Sequence, residues 1–172
     1  MRRPAKPATV RFYFDADVLG LAKALTKLRN DITYPGDPGG VVHRRERPPC
    51  PITRTDTADT VWIPIVASWD WLIITRDSRI QDHRAEIEAV RDNEARMIAL
   101  AGKEATSTWA QLEVFMTQWR AIEAKAAEPG PFIYSATRTT LRPVPLDSPH
   151  YRSRVRPAVQ QGRHDGSHCE RA

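Results

Sequence analysis

Three aspartates occupy positions where carboxylates can do chemistry together. Asp15 ends the apolar run of residues 10–14, Asp77 follows the apolar run of residues 71–75, and Asp59 lies near the start of an amphipathic helix. The carboxyl ends of parallel strands meet at the crevice in which open α/β sheets hold their ligands. Carboxylates that converge in such a crevice repel each other strongly unless a cation neutralises them. The pattern therefore predicts a cation bound by these three residues.

Oxygen ligands of this kind suit Mg²⁺ or Mn²⁺, which bind through a few carboxylates and several waters. Such a site clamps a phosphate oxygen and lowers the pKa of a bound water, which is the chemistry of phosphodiester hydrolysis. The sequence places no histidine as a general base, no Cys or Ser nucleophile in a suggestive turn, and no Gly-rich phosphate loop. Structural roles stay open, since Asp17 lies where a helix N-cap would and Asp59 could pair with a helix dipole.

The elements that must position these acids alternate between strand and helix. Val10, Phe12 and Phe14 lie on one face of the opening strand and Tyr13 makes the other face apolar, which is typical of a central strand covered by helices on both sides. The periodicity predicts further strands at 32–34, 71–75, 97–101, 132–134 and 140–142. It also predicts helices over 18–29, around 87–90 and over 109–122, and one that carries the apolar residues 61–69. That helix either follows a cap at Thr55 or Asp56 and is kinked at Pro64, or starts near Asp59. This alternation predicts an α/β fold, a three-layer α/β/α sandwich with a mostly parallel central sheet.

Charge divides the chain of 172 residues into a body and two arms. Residues 1–9 carry three basic and no acidic residues, and residues 148–172 carry five arginines against two acids. We expect one domain over residues 10–147 between two basic, disordered arms. Basic arms favour a polyanionic partner such as nucleic acid, although tails that only keep the protein soluble are an equally acceptable explanation.

The low cysteine count and the lack of a long apolar run indicate the cellular compartment. The 2 cysteines are too few for a disulfide framework, which makes a reducing cytosol the default compartment. The longest apolar run, residues 61–69, is far too short to span a membrane. We therefore expect a soluble, cytoplasmic protein without a membrane partner.

Residues 35–54 show no periodicity and contain several arginines. A loop this long in a compact domain is usually either functional or disordered. Arg44 and Arg45 within it are candidate RNA-binding residues at the lip of the groove.

Several segments resemble the PIN domain nucleases, in particular the PIN-like (VapC-type) toxins of bacterial toxin–antitoxin modules. They span about residues 10–145 and are Phe12-Tyr13-Phe14-Asp15, the helix start Asp59-x-x-Trp62-Ile63, the run from Trp71 to Ile80 that contains Ile74-Thr75-Arg76-Asp77, the later Glu86, and Gly130-Pro131-Phe132-Ile133. The resemblance implies a PIN-like fold and a metal-dependent endoribonuclease that cleaves single-stranded or structured RNA. It also implies a toxin that a cognate antitoxin protein neutralises, and a second copy of the chain is a further candidate partner.

Carried over by position, the resemblance makes Asp15, Asp59 and Asp77 the catalytic residues and the ligands of Mg²⁺ or Mn²⁺. Many PIN domains use a fourth acid, and three residues compete for that place here: Asp17, Asp82 and Glu86. Arg76 and Arg79, which flank the third acid, are candidate holders of RNA phosphates, or else exposed residues at a helix start.

Two alternatives come from other classes of protein. The segment Asp15-Ala16-Asp17-Val18 also fits the opening motif of haloacid-dehalogenase-type phosphatases, with Thr75 as a second motif. That family needs a lysine and a late acidic pair after a further strand, and the chain offers only Gly102-Lys103-Glu104. The other alternative is a catalytically weak PIN-like module that binds RNA or a protein partner.

Overall fold

The computed structural model describes residues 4–76, 84–101 and 105–146, which form nine strands and five α-helices. The strands are β1 (Lys6–Pro7), β2 (Phe12–Phe14), β3 (Ile32–Thr33), β4 (Gly40–Val42), β5 (Arg45–Arg47), β6 (Leu72–Thr75), β7 (Arg96–Leu100), β8 (Phe132–Ala136) and β9 (Leu141–Val144). Six of them form the central sheet in the order β3-β2-β6-β7-β8-β9. The first five are parallel and β9 is antiparallel to β8. The mostly parallel sheet predicted from the sequence is therefore confirmed.

Helices cover both faces of this sheet. They are α1 (Leu19–Leu25), α2 (Asp59–Ser68), α3 (Arg84–Asp92), α4 (Thr108–Thr117) and α5 (Trp119–Lys125). One core cluster joins Tyr13 and Ile73 of the sheet to α2 and α3, and a second joins alternate residues of the same strands, such as Phe12 and Ile74, to α1, α4 and α5. Because neighbouring side chains of a strand point to opposite faces, the two cores lie on opposite sides of one sheet. The predicted three-layer α/β/α sandwich is confirmed.

Strand β2 lies at the centre of this packing. Its three residues are at most 1% exposed, which matches the expectation of a strand covered on both faces. Tyr13 packs on Trp62 of α2 with 5.0 Å between ring centroids, and Phe14 packs on Phe115 of α4 at 5.4 Å. The strand is thereby fixed from both layers, and so is the position at which it ends.

A second, three-stranded sheet of order β1-β5-β4 lies where the sequence predicted irregular chain. Strand β1 falls in the arm expected to be disordered over residues 1–9, and pairs in parallel with β5. Strands β4 and β5 fall in the expected loop 35–54 and form a hairpin, in which His43 and Arg44 make the turn with φ of 50° and 62°. Two residues of positive φ match the twist of a tight hairpin. For these residues the predictions of disorder and of a loop are wrong, because β1 pairs with a strand distant in sequence and β4 and β5 pair across a tight turn.

A buried ion pair fastens the hairpin to the central sheet. Arg47 of β5 donates from Nε and Nη2 to the carboxylate of Asp37 at 2.9 and 3.1 Å, and both side chains are at most 4% exposed. Thr33 at the end of β3 donates its hydroxyl to the same carboxylate at 3.2 Å. The small sheet is therefore held to the edge strand of the large one by charge-assisted hydrogen bonds.

Two further expectations concern the second half of the chain. The helix predicted over 109–122 is divided at Gln118 into α4 and α5, and two residues assigned to its buried face, Trp109 and Met116, are 69% and 57% exposed. That part of the helix prediction is wrong. The predicted tail, residues 148–172, lies outside the described residues. Within the described ranges, no helix combines the length and the apolar character that crossing a bilayer requires.

The buried Arg47–Asp37 ion pair predicts a loss of stability on mutation, for which an exposed ion pair of the same chain serves as the control. Asp37→Ala should lower the free energy of unfolding by about 3–5 kcal/mol, because it leaves the Arg47 charge buried without its partner. Asp56→Ala breaks an ion pair with Arg54 that is also bidentate but exposed, and this substitution should change stability little. Urea denaturation measures both. Equal losses in the two variants would contradict the anchoring role of the buried pair.

Candidate active site

Asp15 follows directly on β2, at the carboxyl edge of the central sheet. Its backbone N–H donates to the carbonyl of Ile74 at 2.9 Å, which continues the β2–β6 ladder by one residue. Its side chain is the N-cap of a short 3₁₀ helix, Ala16–Val18, and Oδ1 accepts a hydrogen bond from the N–H of Ala16 at 2.6 Å. Asp15, and not Asp17, therefore takes the capping position. The cap fixes one carboxylate oxygen of Asp15.

Asp17 lies within the same 3₁₀ helix and reaches across to the end of β6. Its Oδ2 accepts from the hydroxyl of Thr75 at 3.0 Å and from the backbone N–H of Arg76 at 2.9 Å. Thr75 is buried, so its hydroxyl is a fixed donor. The segments after β2 and β6, which carry the first and third predicted acids, are thus joined through Asp17.

Asp59 is the first residue of α2, on the other layer of the sandwich. Its Oδ1 accepts a hydrogen bond from the indole N–H of Trp62 at 2.9 Å. The spacing of three residues places the two side chains on one face of the helix. Since Trp62 also packs against Tyr13 of β2, the contact ties the position of Asp59 to the strand that ends at Asp15.

The surroundings of Asp15 shift the titration of its carboxyl. Burial, the negative charge of Asp17 and, less strongly, that of Asp59 together raise its pKa to about 7, against the Ala16 hydrogen bond that lowers it. The pKa of Tyr13 is raised as well, first by burial and then by Asp15, Cys50 and Asp59. Like charges act on one another in this way only at short range. The acids whose charges act on the Asp15 carboxyl are therefore Asp17 and Asp59.

The oxygen atoms of this group suit a hard divalent cation. Among the described residues, Asp15 accepts one hydrogen bond, through Oδ1, and Asp59 accepts one, also through Oδ1. Each acid thus keeps an oxygen for another ligand, and carboxylate oxygens are the ligands that Mg²⁺ and Mn²⁺ prefer. Within the described ranges, no three Asp, Glu, His or Cys side chains by themselves form a group that could hold a metal ion. Asp77, the third ligand of the prediction, lies outside those ranges.

The remaining residues predicted for the site are Asp82, Glu86, Arg76 and Arg79, and the structure describes two of them, Glu86 and Arg76. Asp82 and Arg79 lie outside the described residues, as Asp77 does. Glu86 is in the first turn of α3 and is 7% exposed. Arg76 is exposed, and its Nη1 donates to the carbonyl of Thr106 at 3.4 Å. Their use as ligands or phosphate holders stays a prediction.

Arg44 and Arg45 lie elsewhere. The hairpin turn is held at the amino end of β3, where His43 Nε2 lies 3.1 Å from the carbonyl of Leu28 and Asn30 donates to the carbonyl of Val42. The acids lie at the opposite, carboxyl edge of the sheet. The structure thus does not place these arginines at the acids. Both line a cavity of about 880 Å³ together with Lys6 and His43, and no carboxylate is among its described lining residues.

Two supporting residues were not predicted from the sequence in the roles they have here. Thr75 holds Asp17, and the indole of Trp62 holds Asp59. A polar residue at the end of an otherwise apolar run is a signal for the first. The Asp-x-x-Trp spacing at a helix start is a signal for the second, but only the structure shows that the indole nitrogen faces the carboxylate.

The sequence is similar to a known family of protein domains. A family model described as a PIN like domain matches residues 10–102, which include Asp15, Asp17 and Asp59. No curated protein and no solved structure matches the chain. The match covers the part of the fold from the residues just before β2 to those just after β7.

The raised pKa of Asp15 predicts an unusual effect of pH on stability. Because the folded carboxyl has a pKa of about 7 against 3.8 for the ordinary group, the folded state binds an extra proton between those values, and stability falls as pH rises through that window. In metal-free buffer at about pH 8, Asp15→Asn should therefore raise the free energy of unfolding by about 1–3 kcal/mol. At about pH 3 the gain should vanish. Denaturant titrations at both pH values measure it, with Glu46→Gln, an exposed carboxylate on β5, as the control. A loss of stability in Asp15→Asn at the higher pH would contradict the assignment.

Proposed function

Since the chain belongs to the PIN-like domain family, which commonly has nuclease activity, we propose that it is a metal-dependent endoribonuclease that hydrolyses RNA phosphodiester bonds. The observation that carries the proposal is the placement of Asp15 directly after β2 and of Asp17 against the end of β6, at the edge where parallel sheets bind their ligands. A protein gains no stability by holding like charges together at the edge of its sheet. A bound cation would relieve that repulsion.

The described residues orient the acids in a way that suits this chemistry. Asp15 is held by the N–H of Ala16, Asp17 by Thr75, and Asp59 by Trp62. Donors that fix metal ligands in this manner raise the affinity of the site. A Mg²⁺ or Mn²⁺ ion bound by Asp15, Asp59 and Asp77, with Asp17 as the fourth acid, would polarise a phosphate oxygen and lower the pKa of a bound water. Asp17 is a candidate for the fourth acid because its charge acts on Asp15.

RNA as the substrate is supported by the basic surfaces of the chain. Arg76 lies beside Asp17 at the acidic edge, and the cavity lined by Arg44, Arg45, Lys6 and His43 offers only positive or neutral side chains among its described residues. Such surfaces attract the phosphates of a nucleic acid. Arg79, next to Asp77, would add to them. The resemblance to PIN-like toxins further supports a role as the toxin of a toxin–antitoxin module, with a cognate antitoxin protein as partner.

Activity assays test the proposal directly. The purified chain should cleave RNA when Mn²⁺ or Mg²⁺ is added and should not do so in EDTA. Asp15→Asn, Asp59→Asn and Asp77→Asn should each abolish cleavage, because each removes a negatively charged oxygen from the site. Asp56→Asn, three residues before Asp59 and paired with Arg54, should keep full activity.

The same assay separates the alternatives. Release of phosphate from a phosphomonoester without RNA cleavage would favour a haloacid-dehalogenase-type phosphatase. RNA binding without cleavage at any metal concentration would favour a binding module. Full activity in the three Asp→Asn variants would overturn the assignment of the site.

A finer test concerns the hydroxyl that holds Asp17. Thr75→Val keeps the shape of a buried strand residue but removes the donor to Asp17. We expect about 10–100-fold more Mn²⁺ to be needed for half-maximal cleavage, with the rate largely recovered at saturating metal. Thr33→Val is the matched control, since Thr33 is also buried at a strand end and donates to an aspartate, Asp37, away from the site. A shift in metal requirement that is the same in both variants would show that Thr75 acts only through stability.

A further inference from the structure

A basic groove lies between α1 and the small sheet, at the outer edge of the central sheet. Its volume is about 590 Å³. From α1 and the turn after it come Lys23, Thr26 and Lys27, and from the other side come Tyr34, Asp37, Arg47 and residues 38–42. Lys23 and Lys27 are four residues apart, so they lie on one face of the chain and point to the same groove. The acids 15, 17 and 59 are not among its described lining residues.

The groove carries a positive charge that its own carboxylate does not neutralise. Asp37 is the one acidic residue among the described lining residues. Its carboxylate already accepts hydrogen bonds from Arg47, from the hydroxyl of Thr33 and from the N–H of Gly39. The charges of Lys23 and Lys27 therefore remain for a ligand that enters from solvent, and both side chains are exposed to it.

Arg47 is a second, independent indication that the groove binds an anion. Its side chain is 4% exposed, and Nε and Nη2 are bound to Asp37. The third nitrogen, Nη1, is buried and has no hydrogen-bond acceptor among the described residues. A buried charged donor without an acceptor is destabilising. Because Arg47 lines the groove, an anion held there would lie beside a guanidinium that keeps one nitrogen without an acceptor among the described residues.

A second basic cavity next to the groove indicates which kind of anion would bind there. Val41 lines both this groove and the cavity formed by Lys6, His43, Arg44 and Arg45, so the two basic concavities adjoin along β4. A polymer with a phosphate at every unit can contact two such sites in succession. An ammonium group binds phosphate as a point charge, and a guanidinium binds it through parallel N–H donors.

We propose that the groove between α1 and β4 is a phosphate-binding site, in which Lys23 and Lys27 contact the phosphate oxygens above the Arg47–Asp37 pair. Only the identity of the phosphate carrier, an RNA backbone, rests on the proposed function. A free phosphate or a mononucleotide has the same chemistry. The site lies along the outer edge of the sheet, so it extends the contact with RNA beyond the acids.

The first arm of the test uses inorganic phosphate and needs no RNA. The melting temperature of the full chain is measured in EDTA, with phosphate or with chloride at equal ionic strength. At about ten times its dissociation constant, phosphate should raise the melting temperature of the parent by about 2–4 °C. Lys23→Gln/Lys27→Gln should abolish the rise. Arg120→Gln/Lys125→Gln, which removes two charges from α5, should keep it.

The second arm measures binding of a fluorescently labelled single-stranded RNA in EDTA, where binding is followed without metal-dependent cleavage. The lysine variant should bind more weakly than the α5 variant, and the slope of log affinity against log salt should fall by about 0.7 for each lost phosphate contact. Loss in both arms assigns the groove to the RNA backbone, and loss in the phosphate arm alone assigns it to a free phosphate. If neither arm distinguishes the lysine variant from the α5 variant, the proposal is overturned. Neither arm contains metal, so neither depends on cleavage. A chain that binds RNA here but fails the separate cleavage assay with Mn²⁺ or Mg²⁺ would contradict the proposed function and leave the phosphate site intact.

Discussion

Repulsion between carboxylates at one edge of the central sheet is the constraint on which the site depends. Asp15 is half-buried, and the charges of Asp17 and Asp59 act on it at short range. Such an arrangement is held together only if the backbone and the supporting side chains are fixed by something else. That support is the buried pairing of β2 with β6, whose register places Phe14 opposite Ile74 and thereby sets the end of one strand beside the end of the other.

Each acid is held by a donor that belongs to a different part of the fold. The cap of the 3₁₀ helix holds Asp15, the end of β6 holds Asp17, and the first turn of α2 holds Asp59. The sheet and one helical layer thus each hold acids of the candidate site in place. Because these donors already fix the side chains, binding of the proposed cation would need little further ordering.

The parts of this structure that the sequence predicted are those that local pattern determines. Apolar runs identified β2 and β6, and the rule that ligands lie at the carboxyl ends of parallel strands singled out Asp15, which follows directly on β2. The small sheet could not be predicted in this way, since Lys6–Pro7 and Arg45–Arg47 are polar, short and paired with distant residues. Trp109 was assigned to the core because helical spacing does not reveal which face of a helix the neighbouring elements leave open. The hydrogen bond from Thr75 to Asp17 joins residues 58 positions apart, so no local sequence pattern could have predicted it.

The open edges of the two sheets also determine how the molecule behaves in a crowded solution. A proline has no N–H to offer a further strand, and a strand of two residues offers little to pair with. Edge strand β9 contains Pro143, edge strand β1 is Lys6–Pro7, and edge strand β3 has two residues. Three of the four edges of the described sheets are therefore poor templates for aggregation, and a chain that exposes the aromatic side chains of Trp69 and Trp109 is protected from polymerising through its backbone.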